Sequence, residues 1–136
     1  LADSGALEDI ASFMELARGF PRLDWPAVHA FAGKLAGRGR EAAQAATLDF
    51  IVQFLGTLVR RRARGETETD FGWKPADSLS RHLLGEYGLD RLLALWEKVA
   101  ALIQMADARS LDRKHVVLGL FFAMEETLRQ PDTDIS

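Results

Sequence analysis

The sequence predicts an all-α fold, a single bundle of five to six helices over residues 1–136. Three observations carry this prediction. Apolar residues recur at three- and four-residue spacing in almost every long segment, and no segment sustains the alternation of a strand. Proline- and glycine-bearing stretches, "GFPRLDWP" and "GRGR" among them, interrupt that pattern and mark helix ends. A chain of 136 residues, 48% hydrophobic and 27% charged, is long enough and apolar enough to bury one real core.

The first helix is expected over 4–18, with Leu7, Ile10, Phe13, Met14 and Ala17 on one face. "GFPRLDWP" ends it. A short second helix reaches residue 36 on a stripe of Val28, Phe31, Ala32 and Leu35. The third, over 40–64, carries Leu48, Phe50, Ile51, Val52, Phe54, Leu55, Leu58 and Val59 around more than half of its circumference. A helix apolar over that much surface is packed on several sides, so it is predicted to be the central post. "RGETETDFGWKPADS" has neither periodicity nor helix-forming bias. Residues 65–77 are therefore expected to form a mobile surface loop, anchored by Phe71 or Trp73. Helical pattern resumes near Ser78, breaks at "GEYGLD" and restarts at Asp90. From there Leu92, Leu95, Trp96, Val99, Leu102 and Ile103 oppose Asp90, Arg91, Glu97, Lys98 and Gln104, the cleanest amphipathic segment in the chain. The last helix begins near Asp112 and stops before Pro131, leaving 130–136 as an expected frayed tail.

The stretch "ARSLDRKHVVLG" sets Asp112, Arg113, Lys114 and His115 side by side, which raises the question of acid–base chemistry. Capping answers it. Leu-Asp precedes three predicted helices, at Leu23-Asp24, Leu89-Asp90 and Leu111-Asp112. An aspartate there accepts from an orphan backbone N–H and suits the positive end of the helix dipole. Val28 and Val116 follow two of these leucines at the spacing of a hydrophobic staple. Arg113 and Lys114 are less comfortable, because cations in a first turn oppose the dipole. Either they are solvated beside Asp112 or Asp107, or they meet an acidic surface on a partner. Leu118 and Phe122 pose a similar choice. They lie one turn apart, away from the stripe of Val116, Val117, Leu120, Phe121, Met124 and Leu128. Such groups are covered by another part of the chain or left for a partner.

No catalytic residue, metal ligand set or cofactor site emerges. His29, His82 and His115 are isolated from one another, and there is no cysteine, which removes thiolate zinc sites and a thiol nucleophile. Glu8-Asp9 and Glu125-Glu126 are adjacent, so on a helix they diverge. Phosphate loops, dinucleotide fingerprints and nucleophile elbows are missing from the sequence. The net charge of −3 offers no general attraction to nucleic acid or anionic lipid. The one basic cluster is Arg60, Arg61, Arg62 and Arg64, whose place at a helix end complements the dipole. Weak, salt-sensitive phosphate contact is the other use open to these arginines. No apolar run approaches the ~18 residues of a bilayer span, no signal peptide is evident, and the lack of cysteine agrees with a cytoplasmic location. The start at Leu1 suggests a fragment or processed product of a longer protein.

The order "FPRLDWPAVHAFAGKLAGRGREAAQAATLDFIVQFLGTLVRRRA", a variable loop, then "LLALWEKVAALIQMADARSLDRKHVVLGLF" resembles the carboxyl-terminal collar domain of the bacterial DNA polymerase III delta-prime subunit. The likeness is strongest to alphaproteobacterial members and covers about residues 1–122. It rests mainly on Trp96-Glu97-Lys98 and Leu111-Asp112-Arg113-Lys114 in their order and spacing. The resemblance implies a helical collar domain of a clamp loader, packed beside the equivalent domains of the gamma/tau and delta subunits. DNA would then be met only indirectly, through the complex, with no membrane or small-molecule substrate involved. It also implies that the nucleotide-binding fold, zinc site and Ser-Arg-Cys segment of the parent have no counterpart here. Leu118 and Phe122 become the expected subunit contacts, with Arg113 and Lys114 at the rim. Two other readings stay open from the residues alone. One is a ligand-sensing or dimerisation domain of a transcription regulator, which requires a buried cavity with converging polar groups. The other is a nucleic-acid-binding module centred on Arg60, Arg61, Arg62 and Arg64.

Overall fold

In the computed structural model, residues 4–66, 70–109 and 112–130 are described. Six helices and no strand are present among them: α1 (Ser4–Ala17), α2 (Trp25–Leu35), α3 (Glu41–Ala63), α4 (Lys74–Glu86), α5 (Leu89–Arg109) and α6 (Arg113–Arg129). The long α3 touches α1, α4 and α5, as a central post must. On its far side α5 carries α6, and α2 closes the bundle by packing on α6 and α1. One cluster joins the layers. The Phe121 ring lies 5.5 Å from Phe13 and 6.0 Å from Phe31, tying α6 to α1 and α2.

Two caps form as the Leu-Asp dipeptides predict. Asp24 Oδ1 accepts from the Ala27 N–H at 3.3 Å, and Asp112 Oδ2 accepts from the His115 N–H at 3.1 Å. The third does not. The Leu92 N–H bonds to the Gly88 carbonyl, so α5 starts at Leu89 and Asp90 sits inside its first turn. There it acts on the dipole without capping.

The loop after α3 is shorter than expected: residues 74–77, assigned to the 65–77 loop, are helical in α4. Pro75 lies in the first turn, where its missing N–H is no loss and its fixed φ favours the helix. Asp77 reaches back to accept from the Phe71 N–H. Gly72, at φ +72°, makes the reversal that brings Phe71 under α3. Phe71 and Trp73 both anchor this segment, 5.3 Å from Phe54 and 6.1 Å from Phe50 respectively. Residues 67–69 of the expected loop, and all but residue 130 of the expected tail, lie outside the described residues.

Leu7 departs from the predicted α1 stripe. It is 52% exposed, and Ala6, Ile10, Phe13, Met14 and Ala17 are buried instead. By length and composition alone α3 could cross a bilayer, contrary to the expectation that no segment could, but half of its most apolar stretch is buried inside the bundle. Gly56 explains how closely α3 packs on α5: a Cβ there would stand 3.0 Å from Trp96 Cζ2.

Candidate functional site

The groups that hold α6 in place define which of its faces is left over. Glu125 is buried, and its carboxylate accepts from the Leu23 N–H at 2.8 Å and from Trp25 Nε1 at 3.2 Å. It thereby fixes the entry of α2 against α6. Arg91 on α5 donates to the Leu128 carbonyl at 2.9 Å, satisfying one of the last carbonyls of α6. At the other end, Arg113 pairs with Glu41 at 3.3 Å and ties α6 to the start of α3. These contacts and the core stripe of Val117, Leu120, Phe121, Met124 and Leu128 account for three sides of the helix.

The fourth side faces outward. Phe122 is 57% exposed, whereas Leu118, one turn earlier, is half-buried against the core. Met105, on α5, is 43% exposed. Between the two helices runs an open groove of about 430 Å³, walled by Leu102, Met105, Ala106, Val116 and Leu120, with Gly119 on its α6 side and Asp112 and His115 at one end. Phe122 and Met105 are two of the four large hydrophobic residues exposed among the described residues. Met105 forms part of the groove wall, whereas Phe122 stands one turn beyond Gly119, outside that wall and beside Glu125, Glu126 and Arg129.

The rim residues predicted from sequence divide. Lys114 is exposed, but Arg113 is occupied by Glu41 and, nine residues from Phe122, stands half a turn away from it. Its counter-charge is therefore Glu41, in place of Asp112 or Asp107. The arginine cluster is likewise engaged within the chain. Arg61 stacks 4.3 Å over the Phe71 ring, Arg62 donates to the Leu84 carbonyl, and Arg64 pairs with Glu66 at 2.8 Å. Arg60 remains exposed.

Sequence reasoning passed over Met105 and Gly119, and weighed Glu125 only as the neighbour of Glu126. A glycine in the middle of a strong helical pattern was the available signal for the groove. Nothing local distinguishes Glu125 from Glu126, because their burial is set by α2, a hundred residues away in the chain.

Elsewhere, an open cleft of about 490 Å³ lies where α2, α3, α5 and α6 meet, with Gln44, Asp107, Asp112 and Arg113 on its wall. Asp112 is used there by its cap and Arg113 by Glu41. The histidines are scattered: His82 Nε2 bonds the Phe20 carbonyl at 2.8 Å, His29 lies beside Trp25 and His115 beside Asp112. Among the described residues no group of three His, Asp or Glu side chains is placed to hold a metal ion. The arrangement thus defines a helical bundle whose outer face carries an apolar groove between α5 and α6. No protein-family model, curated protein or solved structure matches the chain.

Proposed function

We propose that this chain is an assembly domain, which uses the outer face of α5 and α6 to bind neighbouring protein subunits. The observation that carries the reading is Phe122, a large aromatic 57% exposed and one turn from the half-buried Leu118, on the same helix that walls an apolar groove through Val116, Gly119 and Leu120. Aromatic side chains set among apolar neighbours are the usual energetic anchors of protein interfaces. The sequence resemblance supports the finer form of the reading. In it the domain is a clamp-loader collar element, and its partners are the gamma/tau and delta subunits of the bacterial replicative polymerase. Its role there is mechanical: rigid helices hold larger modules in order around a ring.

The engagement of Arg61, Arg62 and Arg64 within the chain favours this over direct phosphate binding. The groove is open to solvent and has polar side chains, Asp112 and His115, at one end only, without the converging polar groups that would orient a small sensed ligand. Capture of purified gamma/tau and delta subunits by the immobilised chain tests the reading. Binding that the double variant Leu118→Ser/Phe122→Ser abolishes, with cooperative melting retained, supports it. Failure of the wild-type chain to retain either subunit would overturn the clamp-loader form.

A further inference from the structure

Asp112, the cap of α6, and five residues of the helix, His115, Gly119, Phe122, Glu126 and Arg129, are all exposed. Their intervals alternate between three and four residues, the spacing of a helix seam that meets another helix. At its centre stands Gly119. A Cβ there would meet nothing within 4 Å, so no close packing inside the chain requires glycine. In a helix interior that glycine costs about 1 kcal/mol relative to alanine. What it does is keep one flank of the groove low beside Leu102, Met105 and Val116. One turn further along the same seam Phe122 projects. The seam therefore carries a hole and a knob side by side.

We propose that this seam pairs with the same seam of a second copy of the chain. The two α6 helices run antiparallel about a two-fold axis that passes between Gly119 and Phe122. In that register Phe122 of each copy enters the groove at Gly119 of the other. Glu126 then meets His115, and Arg129, 3.8 Å from Glu125 Oε1 in its own chain, also meets Asp112, which keeps its cap bond. Symmetry makes every one of these contacts occur twice. Charge selects the direction: a parallel pairing sets Asp112 on Asp112, Glu126 on Glu126 and Phe122 on Phe122. The antiparallel one opposes Arg129 to Asp112, separates like charges, fits knob to hole and aligns the helix dipoles favourably. A single helix seam buries less than the standard interface of about 1,600 Å², so the dimer is weak and reversible. The inference does not depend on the clamp-loader reading. Subunit capture tests that one and self-association tests this one, so either can fail alone.

Sedimentation equilibrium of the full chain from about 10 μM to about 1 mM, the range of weak association, is the test. A monomer–dimer equilibrium is expected, weakened at least about tenfold by Phe122→Ser and by Gly119→Gln. A Cβ at 119 meets nothing within 4 Å and glutamine favours helix, so its melting temperature should not fall. The chain has no cysteine, which lets disulfide trapping read the register. Oxidising a mixture of His115→Cys and Glu126→Cys chains should link one to the other, whereas Glu126→Cys alone should stay unlinked. Any of three results overturns the proposal: a monomer at every concentration, a dimer indifferent to both substitutions, or Glu126→Cys chains that link to themselves.

Discussion

Glu125 shows what one side chain contributes when it is buried with its partners. It takes up the Leu23 N–H and the Trp25 indole N–H, so its loss strands two donors at the junction of α2 and α6. Each stranded group costs about 1–3 kcal/mol. Glu125→Ala should therefore lower stability by about 2–4 kcal/mol, read from the urea midpoint at unchanged slope. Glu125→Gln, which keeps one acceptor oxygen, should lose less. A midpoint that does not move in the alanine variant would mean that water replaces the carboxylate. Trp96 offers the opposite case. Its indole N–H is buried without a hydrogen-bond partner, and its ring covers Gly56. Gly56→Leu should destabilise by more than about 2 kcal/mol in thermal melts, since the bulk can be accommodated only by parting α3 from α5.

The helices are held at their ends by different means, and these differences are testable. Asp24 and Asp112 accept from first-turn N–H groups, so alanine at either should cost about 1 kcal/mol. Asp90 lies inside its first turn, and Asp90→Ala should cost a few tenths. Equal losses at all three positions in chemical denaturation would sink this distinction. At the start of α3, the Glu41 carboxyl is held below its usual range by its own backbone N–H and by Arg113. A carboxyl whose folded value is depressed stabilises the fold above its unfolded value, and that contribution is lost as pH falls through the folded one. Melting temperature should therefore decline less between neutral and acid pH in Glu41→Gln than in the wild type. An identical decline in both proteins would remove Glu41 from the acid response.

Taken whole, the bundle closes its apolar core and leaves one side unfinished. The rings of Phe13, Phe31 and Phe121 close the core between α1, α2 and α6. Outside, Phe122 projects from α6, and Met105 borders a groove that the chain itself does not fill. Phe122→Ser should accordingly leave the melting temperature within a few degrees of wild type, since surface substitutions stay within about 0.5 kcal/mol. A large loss of melting temperature would place Phe122 in the chain's own packing. Leu118→Ser should cost more than Phe122→Ser, because Leu118 already touches the core.

Periodicity by itself determined the all-α class and the central place of α3, and the Leu-Asp dipeptides determined two of the three aspartate caps. Those features depend on residues within one or two turns of each other, and local spacing encodes them. The start of α4 was hidden because Pro75 and Asp77 serve a helix's first turn as readily as a loop. Phe122 stood out of the α6 stripe in the sequence, but whether another helix covered it did not. Only the tertiary structure decided that, along with the burial of Glu125, the pairing of Arg113 with Glu41 and the groove at Gly119. Each depends on which distant helix arrives alongside, and a three- and four-residue repeat names a buried face without naming its neighbour.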